Sequence, residues 1–193
     1  MEREEFLERY RHSIAHVLAK AMIELYGEEV QYAIGPQIED GAYYDFWIPK
    51  SLTEEDFPTI ENKMREIIKR REPWTREELS REDALKLFAK QKFKKELIED
   101  LPDGEVISVY HTGDDFVDLC RGPHVENSQE LMNVAFQVKS VSGAYWRGDE
   151  HRDQLQRVYL FIFPDKNALK EHLKWLKEAQ ERDCLLYTSD AAD

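Results

Sequence analysis

The sequence has 193 residues, 41% hydrophobic and 35% charged, with a formal net charge of −13. That is enough chain for one sizeable globular domain, or a domain with a subdomain. No run is long and apolar enough to span a bilayer and no charged-then-apolar leader opens the chain, so the expectation is a cytoplasmic protein with no membrane partner. The two cysteines lie far apart, which excludes a disulfide framework and fits a reducing compartment. The acidic balance argues against a general nucleic-acid binder. Residues 63–71 and 90–95 and the series Lys139, Arg147, Arg152, Arg157 are nevertheless locally basic, and a single-stranded end needs only a local groove.

The spacing predicts a first helix over about 4–26, with Phe6, Tyr10, Ile14, Val17, Leu18, Met22 and Leu25 recurring at helical period and Gly27 ending it. Residues 30–34 and 42–47 are short, β-branched or aromatic, and read as strands around a Gly35-Pro36 break, with Asp40-Gly41 as a hairpin turn. Thr53 caps a helix that turns Ile60, Met64, Ile67 and Ile68 inward, with Glu54, Glu55 and Asp56 in its first turn. Residues 73–79 read as a strand, Ser80-x-x-Asp83 as a capping box, Phe88, Leu97 and Ile98 as buried, and 102–104 as a turn. This charged block, about 50–110, reads as an inserted α+β subdomain. Strands are expected at 106–110, 115–119, 134–144 and 155–163. A last helix from Pro164-Asp165 carries Leu169, Leu173 and Leu176 on one stripe. The tail 184–193, Cys184 included, breaks in composition from that helix and is set apart as non-native.

Chemistry concentrates in two pairs of equal spacing. His12 and His16 lie four apart on the first helix, hence on one face. Cys120 and His124 repeat the spacing in Asp118-Leu-Cys-Arg-Gly-Pro-His124, where Gly122-Pro123 forces a turn that presents Cys120, Arg121 and His124 at a strand end. Three His and one Cys are a donor set for tetrahedral zinc. They are equally a set that holds water and passes protons without metal. The zinc-protease pattern needs Glu directly after the first His, and Ser13 stands there.

Taken together, His12-Ser-Ile-Ala-His16, Gly35-Pro-Gln-Ile-Glu-Asp-Gly-Ala-Tyr-Tyr-Asp45, Asp118-Leu-Cys-Arg-Gly-Pro-His124 and Gly143-Ala-Tyr-Trp-Arg-Gly148 with Leu155-Gln-Arg157 resemble the editing domain of bacterial threonyl-tRNA synthetases, over about residues 9–183. The alanyl branch shares only the two pairs. The resemblance implies an α+β fold: a two-layer sandwich of antiparallel sheet and helices over 1–163, with residues 164–183 as a linker helix toward a catalytic domain absent here. It implies hydrolysis of serine misattached to tRNA(Thr), with that tRNA's acceptor end as partner.

By the same resemblance, His12 and Lys94 position and polarise water and ester, and Asp118 orients the substrate amine or water. Cys120 and His124 contact the seryl group and terminal ribose. His16 lines the pocket, Tyr43 flanks the terminal adenosine, and Arg121 binds substrate. Editing needs no cofactor on this reading. Zinc at His12, His16, Cys120 and His124 is the alternative, while ATP, Mg and the family's catalytic zinc belong to the absent domain, as does the parent enzyme's dimer contact. Phe93 replaces the family's usual Tyr, and Leu160-Phe-Ile-Phe163 departs from its usual residues. Both ends read as truncated. A free-standing trans-editing deacylase and a non-catalytic tRNA-binding module are the competing functions.

Overall fold

A computed structural model describes residues 5–190, with side chains through 182. The first helix opens as a π-turn, Phe6–Tyr10, and continues as α1, Arg11–Tyr26. Short strands β1 (Gln31–Tyr32) and β2 (Gln37–Ile38) flank the Gly35-Pro36 break and pair antiparallel with opposite ends of β3 (Gly41–Trp47). A 3-10 turn over Glu54–Asp56 leads into α2 (Phe57–Lys69). Then come β4 (Trp74–Leu79), α3 (Arg81–Leu87), α4 (Lys92–Glu99), β5 (Ile107–Thr112) and β6 (Phe116–Leu119). The chain ends with β7 (Ala135–Tyr145), β8 (Gln154–Phe163) and α5 (Lys166–Asp190).

The fold is α+β, with two antiparallel sheets. The first runs β1-β3-β8-β7 with β2 also on β3, and the second runs β4-β5-β6. The second sheet therefore continues past residue 110 into β6. Helix α1 joins the two sheets. Arg11 donates to the Ile162 carbonyl on β8, and Lys20 donates to Thr112 O on β5. This explains why almost every residue from Arg11 to Met22 is buried, His12 being the exception. An apolar stripe on one face, the expectation from periodicity, describes a helix packed on one side; a helix packed on two sides is buried all round.

Local signals act as expected. The Ser80 hydroxyl accepts from the Asp83 amide at 3.1 Å, and the Asp56 carboxylate accepts from the Thr53 amide at 2.9 Å. On β3, Ala42, Tyr44 and Phe46 are buried in the main core, the period-two inward set of a strand. One expectation is corrected. Leu97 is only half-buried, because it lies between a small apolar cluster around Phe93 and Trp146 and the edge of the candidate site. Helix α5 runs through residue 190, across the compositional break at 184, although the side chain of Cys184 lies outside the described residues. The leucines of its stripe, Leu169, Leu173 and Leu176, are half-buried. No helix among the described residues is long and apolar enough to cross a membrane.

Candidate active site

Helix α1, the Gly35-Pro36 break, α4 and the turn after β6 converge on a cavity of about 330 Å3. His12, His16 and Cys120 line it and His124 stands against Cys120, the four donor atoms all lying within 4.8 Å of one another. The two pairs that sequence spacing singled out are thus one cluster. The rings of His12 and His16 each lie 4.1 Å, centroid to centroid, from that of His124. Tyr110 and Trp74 flank His124 at 4.5 and 5.0 Å.

Beneath the cluster sits a buried polar hub. Asp118, 1% exposed, accepts from the Tyr44 hydroxyl at 2.5 Å, faces the Lys94 ammonium at 2.6 Å and His16 Nε2 at 3.3 Å. Lys94 Nζ also donates to Ala33 O at 2.6 Å and to the Tyr44 hydroxyl at 3.1 Å. These contacts tie Lys94 to Asp118 and to the rest of the hub beneath the cavity. Its helix is fastened by Trp146, whose Nε1 donates to Glu96 at 2.9 Å and whose ring packs on Phe93 at 4.9 Å. The Tyr-Trp-Arg-Gly motif therefore positions Lys94 from a distance.

Burial sets the charges of the groups facing the cavity. Desolvation lowers the pKa of His12, and lowers those of His16 and His124 far more, with neighbouring His and Lys94 charges adding to the effect at His16. All three are neutral imidazoles at pH 7. Burial pushes the Cys120 thiol up to about 12, assisted by the Asp118 charge. Cys120 Sγ lies 3.0 Å from His124 Nε2 and accepts from the Gly122 amide at 3.2 Å. A protonated thiol against a neutral imidazole is a hydrogen-bonding pair, not a thiolate nucleophile.

Two sequence expectations land elsewhere. Tyr43 points away from the cavity, because adjacent strand residues face opposite sides. It lies under the Arg157 guanidinium at 4.0 Å and beside Tyr159 at 5.6 Å, so Tyr44 occupies the place expected of Tyr43. Arg121 is exposed at the rim and ion-paired with Glu105. The basic series is likewise matched within the chain: Lys139 with Asp40 (3.1 Å), Arg147 with Asp100 (2.5 Å), Arg152 with Glu96 (2.6 Å) and Arg157 with Asp45 (2.8 Å). A free positive groove from these four is not present.

Two glycines permit the geometry. Gly122 has φ +80°, and a Cβ there would collide with Tyr110. A Cβ on Gly35 would overlap the buried ring of Tyr44. Gly35→Ala is expected to cost about 1–3 kcal/mol of stability through overpacking; urea unfolding measures it, and a change under 0.5 kcal/mol would mean the Tyr44 ring moves freely.

The sequence is similar to known proteins. Residues 107–159 match the family described as threonyl and alanyl tRNA synthetase second additional domain. A threonine–tRNA ligase from Dehalococcoides mccartyi is 48% identical over 177 residues, 92% of this chain and 30% of the relative. Those from Thermotoga neapolitana and Nitrosococcus oceani are 49% and 51% identical over 178 and 179 residues, in each case 27% of the relative. The chain spans under a third of the length of these relatives.

Proposed function

We propose that this chain, which belongs to the threonine–tRNA ligase family, is the editing module that hydrolyses seryl-tRNA(Thr). The observation that carries the reading is the cluster of His12, His16, Cys120 and His124 within 4.8 Å, with its three imidazoles neutral, in a cavity large enough for an aminoacyl-ribose end. Threonine exceeds serine by one methyl, which a synthetic site distinguishes by only about 1–3 kcal/mol. A second, hydrolytic pocket that admits serine and refuses the extra methyl supplies the missing discrimination.

The chemistry is water attack on the aminoacyl ester. The water oxygen adds to the carbonyl carbon while its proton passes to a neutral imidazole; the ester C–O bond then breaks, and the ribose oxygen leaves with a proton. His12 is best placed to take that first proton. It is the one histidine of the cluster left partly exposed, and one ring nitrogen donates to the Pro123 carbonyl, leaving the other as an acceptor. Cys120 and His124 contact the seryl group and ribose. His16, Lys94, Asp118 and Tyr44 form the support beneath them. Because Cys120 stays protonated, no acyl-cysteine forms. Tyr43 and Arg121 have no part in the reaction on this reading.

Deacylation of seryl-tRNA(Thr) and threonyl-tRNA(Thr) by the chain is the test. Selective release of serine is expected, and His12→Ala should slow it about a hundredfold, the low end for loss of a general base. Equal release of both amino acids, or wild-type rates for His12→Ala, would sink the reading. A tRNA-binding module without chemistry would bind and release neither.

One observation favours a second reading. His16 Nδ1 is buried without a hydrogen-bond partner while Asp118 faces Nε2, the arrangement of a carboxylate-oriented metal ligand. The donor set fits tetrahedral zinc: His12, His16, Cys120 and His124 together would hold it as a closed site, and three of them would hold it with a fourth position for a polarised water. Elemental analysis of protein purified without chelator separates the two: one zinc per chain selects this reading, none the first.

A further inference from the structure

We propose that Ser13 is a positioning residue that locks His124 in the tautomer with its proton on Nδ1, so that Nε2 faces Cys120 as an acceptor. This rests on the same site as the proposed function. Ser13 is fully buried, and its hydroxyl meets three groups: Arg9 O at 2.7 Å, His124 Nδ1 at 3.0 Å and the Val125 amide at 3.1 Å. A hydroxyl has one proton and two lone pairs. Val125 N–H is only a donor, and Arg9 O is only an acceptor. Giving the proton to His124 would leave two bare oxygens facing each other at 2.7 Å. The proton therefore goes to Arg9 O, and both remaining contacts are received, so His124 Nδ1 carries hydrogen.

The other side of the ring then has one role. His124 Nε2 has a free lone pair, and the group in front of it, Cys120 Sγ at 3.0 Å, donates its thiol proton. A seryl hydroxyl or ammonium reaches the same acceptor only by displacing the thiol, because Nε2 has one lone pair. Arg9 completes the hold on this residue: its Nε donates to the His124 carbonyl at 3.2 Å and its Nη2 to Glu130 at 2.9 Å. The same turn of helix that carries His12 thus grips His124 at both backbone and ring. The π-turn over Phe6–Tyr10 sits immediately before it, a helix irregularity often found at functional sites.

Nitrogen-15 NMR of the histidine rings at pH 7.5 tests this without any assay, with the His124 signals assigned by their loss in His124→Ala. The expected wild-type spectrum shows His124 protonated on Nδ1; protonation on Nε2 overturns the proposal. Ser13→Ala should give a mixture of tautomers and lower kcat/KM for seryl-tRNA(Thr) about tenfold, the worth of one hydrogen bond. Ser13→Thr, which keeps a hydroxyl able to bond the same carbonyl, should restore the single tautomer. An unchanged tautomer in a folded Ser13→Ala also overturns it, because a merely structural Ser13 would alter stability alone. The outcomes separate cleanly: an inactive wild type with the Nδ1–H tautomer removes the proposed function and leaves this inference standing.

Discussion

Asp118→Ala is expected to lower the unfolding free energy by about 3–5 kcal/mol, the cost of leaving a buried charge without its partner. For a chain of this size that corresponds to a melting temperature about 10 °C lower. Lys94 is 2% exposed, and its ammonium loses its countercharge once the carboxylate is gone. The Tyr44 hydroxyl loses its acceptor at 2.5 Å as well. Deacylation should vanish with it, since His16 loses its orienting group and the floor of the cavity shifts. Activity alone cannot distinguish those causes, so stability and rate must be measured on two variants. In Lys94→Met/Asp118→Leu both charges are removed together. Replacing a buried ion pair by apolar groups of similar size is often neutral or stabilising, so the double variant should recover about 2 kcal/mol of the loss. The orphaned Ala33 carbonyl and Tyr44 hydroxyl limit the recovery. It should remain inactive. A double variant no more stable than Asp118→Ala would show that the hub is held by its hydrogen bonds rather than by its charges.

Much of this site was legible because helical spacing and turn chemistry are local. His12 with His16, Cys120 with His124, and the strand leading to Asp118 follow from residues within a few positions of each other. What the sequence could not reveal is register and partner. Nothing local says whether Tyr43 or Tyr44 faces inward; the answer comes from the pairing of β3 with β8, where Asp45 meets Arg157 and Tyr43 meets Tyr159. An Asp is a poor candidate for burial, yet Asp45 is 4% exposed because Arg157 grips both its oxygens. Arg121 sits within the most site-like motif, but Glu105, sixteen residues away, draws it outward. Ser13 entered the sequence reading only as evidence against a protease. Two of its three hydrogen bonds depend on Val125 and His124, more than a hundred positions on. One signal was available: a small hydroxyl on an otherwise apolar helix, between two histidines, has to bond something when the helix is buried.

The three neutral histidines also set the acid limit of the fold. His12, His16 and His124 all have folded-state pKa values below 6.5, mainly through desolvation. In the unfolded chain they titrate near 6.5. Above that pH both states hold them neutral, and the histidines leave stability unchanged. As pH falls below it, the unfolded chain takes up protons that the folded one refuses, so stability drops with acid. Each refused proton contributes about 1.4 kcal/mol per pH unit. Three give about 4 kcal/mol per unit at first, falling toward about 3 once His12, the least shifted, begins to titrate in the folded state. Lys94 opposes protonation of His12 and His16, while the Asp118 charge favours it at His12 and His124; burial outweighs that attraction. A domain holding about 5–15 kcal/mol at neutral pH should then unfold cooperatively between about pH 4 and 5. Circular dichroism at 222 nm from pH 8 to 3.5, with chelator present, follows the transition, and urea unfolding at intermediate pH gives the slope. His16→Phe keeps a ring against Trp74, 5.9 Å away in the wild type, and removes one refused proton, so its slope should fall by about a third. A wild-type slope below one proton between pH 6 and 5 would mean that the cavity admits water and charges its histidines at little cost, and the neutral imidazole that the proposed hydrolysis requires would then be lost near the pH at which the chain works.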